Sequence, residues 1–477
     1  MNLKPIFSNR FFQRLFSFFS VEHMLPKDIL GSVPSTKQAY TTFVSLAWPS
    51  ALESLLVGLV GSIDTMMVGS LGQGAIAAVG ITNQPKFILL AMIFSLNVGV
   101  TAVVARRKGQ NDQEGANRTL RTAILLSFII SLFTSLLGFI FAKEIMLIAG
   151  AEENYLQDAI HYFQILVIGI VFTSLNLTIN AAQRGCGNTR IAMKTNIIAN
   201  IINLIFNYLL INGIGPFPRM EVRGAAVATV LGAFASLIIS MLALLKRDSY
   251  VNLFYRCSWK FRRAVLAPVM KVSSSALIEQ VFMRIGFLAY AAIVARLGTT
   301  AYATHLICMN ILNLSFCFGD GFGIAASSLV GQNLGATRPD IASIYGKIGQ
   351  RAAFVASTVL FLIFIFARHP LIWLFNKDSE VILLGGQIMI LMALSTHFQT
   401  SQVVLNGCLR GAGDSAYVAV TSMISIAIVR PILTWVLCFP MGLGLAGAWI
   451  SLIIDQGFRF LASFMRFNSG KWSKIKL

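Results

Sequence analysis

Apolar stretches long enough to cross a bilayer recur along the whole chain, and this recurrence limits the possible folds more than any other feature of the sequence. About 20 predominantly apolar residues span the hydrocarbon core. Such segments are read at 44–68, 75–104, 122–142, 157–181, 193–213 and 224–245, then at 270–295, 300–330, 350–368, 381–408, 416–439 and 444–465. In lipid, every backbone N–H and C=O must be satisfied within the protein, so segments of this length are expected to be helices. The expected fold is therefore an all-α polytopic membrane protein with twelve transmembrane helices, the longest of which must tilt, kink or project from the bilayer. With 56% hydrophobic and only 12% charged residues and a mean hydropathy of +0.73, the composition excludes an ordinary soluble domain.

The net charge of +19 would point to nucleic acid in a soluble protein. Here the Lys and Arg residues gather in alternate loops, among them Arg106-Arg107-Lys108 and the stretch from Lys246 to Lys271. Basic loops stay on the cytoplasmic side. Both termini are therefore expected in the cytoplasm and the chain in the plasma (cytoplasmic) membrane, with lipids and not nucleic acid as its surroundings. In the first forty residues, Phe11, Phe12, Leu15, Phe16 and Phe19 recur at helical spacing, opposite Arg10, Gln13 and Arg14. That pattern fits an interfacial amphipathic helix, or a plain cytoplasmic tail; Arg10 and Arg14 interrupt any secretory signal. The six cysteines (Cys186, Cys257, Cys308, Cys317, Cys408 and Cys438) show no CxxC pair, and the five histidines are scattered singly, so neither a disulfide framework nor a metal site is expected.

The chain is also an internal repeat. Sliding the sequence along itself until Glu53 falls on Glu279 lays Ser70-Leu71-Gly72 on Arg296-Leu297-Gly298, Gly109 on Gly335, and Arg184-Gly185-Cys186-Gly187 on Arg410-Gly411-Ala412-Gly413. Two six-helix bundles of like orientation follow, related by a parallel pseudo-two-fold axis along the membrane normal, with a cavity between them. The expected division is a cytoplasmic N-terminal tail at 1–40, a first bundle at 41–245, a basic linker at 246–269, a second bundle at 270–466 and a basic tail at 467–477.

Charges inside such spans are costly, and each is a candidate functional group. The first span holds Glu53 and Asp64, eleven residues apart, which places them within ~20° of one helical face and ~16 Å apart along it. Glu279 is the repeat partner of Glu53. Lys86, Arg284 and Arg430 lie within spans; Lys86 and Arg284 are candidate countercharges, Arg284 for Glu279 or for lipid headgroups. Asp320, between Gly319 and Gly321, and Asp455 are further intramembrane acids with no assigned role.

Ile63-Asp64-Thr65-Met66-Met67-Val68-Gly69-Ser70-Leu71-Gly72 followed by Ala77-Ala78-Val79-Gly80 resembles the first-span signature of the multidrug and toxic compound extrusion (MATE) family. Ala325-Ala326-Ser327-Ser328-Leu329-Val330-Gly331-Gln332-Asn333-Leu334-Gly335-Ala336 and Leu409-Arg410-Gly411-Ala412-Gly413-Asp414 resemble its eighth-span ending and the loop before its eleventh. The resemblance runs from about 40 to 466 and is nearest to the NorM-like branch. It implies an antiporter, not an enzyme, without a bound cofactor and by default a monomer. Such a protein expels small organic, often cationic or amphipathic compounds by alternating access, in exchange for protons or sodium.

By resemblance, Asp64 is the first-span coupling acid and Pro49, fifteen residues earlier, a proline whose kink responds to it. Asn203 and Asn207 match a pair in the fifth span, where many relatives carry Asp at the second position, and Glu279 matches the seventh-span glutamate. Gln399 stands where the NorM-like branch has a tenth-span aspartate. Glu53, Arg284, Asp320 and Gln399 are expected to line the cavity or meet substrate. With Asn at 207 the first half keeps Asp64 as its expected proton acceptor without a second negative charge; hard cations prefer several oxygen ligands, carboxylates among them, so a sodium site at Glu279 with Gln at 399 carries less anionic charge, and protons are favoured over sodium. The alternative is a lipid-linked precursor flippase of the wider superfamily, which would need a more basic cavity. No HExxH pair or nucleophile elbow speaks for an enzyme.

Overall fold

The computed structural model describes residues 17–475 apart from 27, 70, 256–258 and 260; the side chains of 59–66 and of 73 also lie outside the description. Among the described residues, twelve long helices follow in order: α1 (Thr36–Gly69), α2 (Gln73–Gly109), α3 (Gln113–Ile140), α4 (Glu153–Gly185), α5 (Thr189–Asn212), α6 (Glu221–Leu244), α7 (Arg263–Ala295), α8 (Thr299–Gly335), α9 (Pro339–Phe366), α10 (Ser379–Ala412), α11 (Ser415–Cys438) and α12 (Gly444–Asn468). Short helices at Ala142–Ala149 and Arg368–Trp373 follow α3 and α9 at matching places in the two halves. No strand occurs among the described residues. The helices run past the apolar spans, so α1 begins well before the hydrophobic stretch and α2 extends through Arg106, Arg107 and Lys108.

The first six helices form one bundle and the last six the other. Within them, α2 packs on α4 as α8 packs on α10, and α5 pairs with α6 as α11 pairs with α12. The backbone repeats the duplication at its turns. Gly72 and Gly298 have φ of +113° and +105°, and Asn111 and Thr337 have φ of +56° and +57°. Each pair is related by the shift that carries Glu53 onto Glu279. A left-handed conformation at Thr337 is unfavourable for a β-branched residue, yet the fold holds it there to match Asn111.

The bundles meet along α1–α8 and α2–α7. At the end where the described residues begin and finish they touch backbone to backbone: a Cβ on Gly335 would lie 3.0 Å from the Cα of Gly109, and one on Gly109 would lie 2.9 Å from the backbone nitrogen of Ala336. Farther in, Gly321 of α8 packs on Ala51 of α1. Two tails cross this closed end. Residues ahead of α1 dock on the opposite bundle, with Met24 fully buried, the Leu30 N–H donating to Asp340 (3.2 Å) and Lys347 Nζ donating to the Met24 carbonyl (2.8 Å). Reciprocally, Arg106 of α2 donates to the Ile475 carbonyl at 2.9 Å, beyond a Trp472 ring stacked on Phe467 at 5.0 Å. Phe11, Phe12, Leu15 and Phe16, which define the expected amphipathic helix, lie outside the described residues.

Among the described spans, α11 is divided into segments: Ser415–Ser422, a widened π-type stretch at Met423–Val429, and Arg430–Cys438. Pro431 sits in the first turn of the last segment. Its missing N–H interrupts the i→i−4 ladder, which is the physical reason for a break there.

Candidate functional site

Both repeat-related glutamates lie inside the bundles, and each is held by an arginine from the C-terminal end of a neighbouring helix. Glu53 on α1 is 8% exposed. Its Oε1 accepts hydrogen bonds from Arg184 Nη1 of α4 at 3.1 Å and from Asn196 Nδ2 of α5 at 2.8 Å. Glu279 on α7 is 4% exposed. Arg410 Nη2 of α10 reaches Oε1 and Oε2 at 2.7 and 2.8 Å, and Ser422 Oγ of α11 donates to Oε1 at 3.1 Å. The correspondence is complete: the shift that carries Glu53 onto Glu279 also carries Arg184 onto Arg410 and Asn196 onto Ser422. Taking a carboxylate out of water costs several kcal/mol in practice, and the paired guanidinium and the neutral donor offset that cost in both bundles.

Arg410, and not Arg284, therefore holds Glu279. Arg284 instead places its guanidinium 5.2 Å from the centroid of Phe87 on α2, across the bundle interface, and Lys86 lies 5.4 Å from the same ring. These contacts keep both cations at the α2–α7 seam. In the sequence, Arg184 and Arg410 mark the repeat beside their glycines and nothing more. The signal that could have found their role is the single offset they share with the two glutamates.

Asp455 is the centre of a third buried cluster. It bonds Arg430, and it accepts from Arg459 Nη2 at 2.9 Å and from Ser425 Oγ at 2.5 Å. The second bundle thus carries two charge clusters: Glu279 with Arg410 and Ser422 ties α7, α10 and α11 together, and Asp455 with Arg430, Arg459 and Ser425 ties α11 to α12. Asp320 on α8 remains exposed halfway along its helix.

In the first bundle, Asn203 and Asn207 are buried on one face of α5. Asn207 donates to Asn203 Oδ1 at 3.3 Å, and Asn203 donates to Thr229 Oγ1 of α6 at 3.2 Å. Asp64 lies in α1, one of the helices packed on α5, but its side chain is outside the described residues. Pro49 sits inside an α1 that continues as helix on either side of it. Gln399 is fully buried and accepts from Ser315 Oγ at 3.2 Å, inside the α8–α10 contact. His305 and His397 have aromatic neighbours, Tyr290, Tyr302 and Trp449 around the former and Phe354 and Phe361 around the latter, as packing residues do.

The arrangement can exchange partners on buried carboxylates. A proton, a cation or an arginine can each neutralise such a group, and only some of these choices leave the neighbouring helices tied together.

The family model described as MatE matches residues 49–209 and again 275–436, and the second match begins where the repeat places the start of the first. The chain is 28% identical over 463 residues to the "Probable multidrug resistance protein NorM" of Thermotoga maritima, covering 95% of this chain and 96% of that one. It is 30% identical over 330 residues to the "FAD transporter" of Shewanella oneidensis, covering 67% and 70%. Its fold superposes with a TM-score of 0.84 on a structure described as the outward-facing conformation of a multidrug resistance MATE family transporter, at 21% identity and covering 91% of this chain and 97% of that one.

Proposed function

Because the chain belongs to the MATE family of efflux transporters, we propose that it is a secondary antiporter that exports bulky cationic or amphipathic compounds in exchange for protons by alternating access between its two bundles. The observation that carries the coupling ion is the state of Glu279. A single guanidinium nitrogen spans both of its oxygens, so a sodium ion there would have to displace Arg410 and find its other oxygens elsewhere, with Gln399 turned into the helix contact.

Proton acceptance then falls to the first bundle, where Asp64 is the expected acceptor and Asn203 and Asn207 stand on the neighbouring helix. A cationic substrate favours an ionised carboxylate and a proton favours a neutral one, so the two ligands compete. Exchange follows when the empty, ionised transporter does not reorient. The basic loops argue that the closed end bearing the termini faces the cytoplasm, in the plasma membrane.

Everted vesicles loaded by an imposed gradient test this reading. Efflux of a cationic dye is expected to run on a proton gradient, to ignore a sodium gradient of equal size, and to be lost in Asp64→Asn. Unchanged efflux in that variant would remove Asp64 from the coupling role.

A further inference from the structure

The two glutamate sites differ in one respect that neither the repeat nor the fold requires. In the second bundle both oxygens of Glu279 are engaged by Arg410. In the first, Arg184 and Asn196 both bond Oε1 of Glu53, while Oε2 is buried and has no hydrogen-bond partner among the described residues. The side chain is nine-tenths buried. A buried acceptor left unmatched costs about 1–3 kcal/mol, more when charged, and the Arg410 geometry shows that this same scaffold can fill the position.

We infer that Glu53 is a second proton acceptor of the transport cycle, taking its proton on Oε2 and opening its ion pair with Arg184 when it does. The inference rests on the antiport reading and deepens it. Protonation bonds one hydrogen to Oε2 and neutralises the carboxylate; Arg184 keeps its charge and loses its partner. A metal ion is a poor occupant of the same position. The Arg184 guanidinium lies 3.1 Å from the carboxylate and repels a cation, and Asn196 turns its donor, not its oxygen, toward Glu53, so the several oxygens that a hard cation needs are not assembled. Of the elements around it, α4 contributes the charge of Arg184 and α5 the neutral Asn196. α8, packed on Ala51 through Gly321, carries Asp320 one residue before that contact, a second acid on the facing helix.

The position of Arg184 gives protonation a mechanical consequence. Its backbone carbonyl accepts Ser328 Oγ at 2.7 Å, and the next carbonyl, of Gly185, accepts Gln332 Nε2 at 2.8 Å. Both donors come from α8 of the opposite bundle, in the closed end of the interface. Glu53 thus holds, through one ion pair, the helix end to which the other bundle is latched. Releasing Arg184 frees the C-terminal turn of α4 to move, and with it the latch.

The test uses the full-length transporter in proteoliposomes, with Glu53→Gln, Glu53→Asp, Asp64→Asn and the neutral double variant Glu53→Gln/Arg184→Gln. Infrared difference spectra between acid and alkaline pH report protonated carboxyl groups directly. Glu53→Gln is expected to lose one titrating carboxyl band that Asp64→Asn keeps and Glu53→Asp restores. Ethidium efflux on an imposed pH gradient is expected to fall at least tenfold in Glu53→Gln, and the efflux that remains is expected to follow an altered pH profile that keeps only the Asp64 titration, while ethidium still binds. The double variant guards against misfolding, since it removes both charges together; it is expected to fold, bind ethidium and show the same altered pH profile as Glu53→Gln. A Glu53→Gln spectrum identical to wild type, or a double variant with the wild-type pH profile of efflux, would overturn the inference. If the wild type moves ethidium without regard to the proton gradient, the antiport reading fails, whereas the infrared band still decides whether Glu53 takes a proton.

Discussion

At the scale of single residues, the second bundle shows how a membrane protein keeps charges at depth. Asp455 bonds two arginines and a serine, so removing its charge leaves Arg430 and Arg459, both buried, without an anion. Breaking a buried pair from one side costs about 3–5 kcal/mol. Asp455→Asn is therefore expected to lower thermal stability sharply in detergent, as read by the loss of monodisperse protein on heating, with a much smaller loss when Arg459→Met is added. Glu279→Gln should behave more mildly, because the Arg410 side chain is 29% exposed and water can take over its solvation. Glu53 and Glu279 were legible from the repeat alone. Their partners were not, because an arginine beside a Gly-Cys-Gly or Gly-Ala-Gly turn reads as a loop residue until the folded helix end carries it to a carboxylate on another helix.

At the scale of elements, the closed end depends on glycines where α2 and α8 cross. A side chain at Gly335 would meet the backbone of α2 at Arg106 and Gly109. Gly335→Leu is expected to leave the bundles folded but unable to shut at this end, with efflux lost. Cysteines placed on α2 and α8 near the crossing should become reactive to a membrane-impermeant thiol reagent added from the terminal side in that variant and stay protected without it. The twelve spans could be read from the sequence because hydrocarbon thickness fixes how many apolar residues a helix needs. The division of α11 at Met423–Val429 was less visible, since it reflects Pro431 together with the demand that Arg430 and Ser425 both reach Asp455.

At the scale of the whole molecule, the fold is two copies of one bundle that close on each other at the end where the tails cross. The tail ahead of α1 docks on the second bundle and the tail after α12 on the first, so each half is tied to the other by its own terminus as well as by the α1–α8 and α2–α7 contacts. Opening toward the termini must break or carry these straps. Deleting residues from Trp472 onward is expected to raise thiol accessibility at the crossing in otherwise unaltered protein, without altering the coupling ion. A proton gradient should still drive efflux in that variant and a sodium gradient should not.

The sequence by itself determined the class of fold, the number of spans, the duplication and the family, because each depends on patterns that are local or that recur at a fixed offset: apolar length, turn glycines and short motifs. Only the tertiary structure decided which cation meets which carboxylate. Arg184 and Glu53 are 131 residues apart in the chain, as are Arg410 and Glu279, and nothing in a helical period connects them. Burial makes the pairing specific, since a charge that water cannot reach must find its partner within a few ångströms, and which groups come that close is settled by how the helices pack.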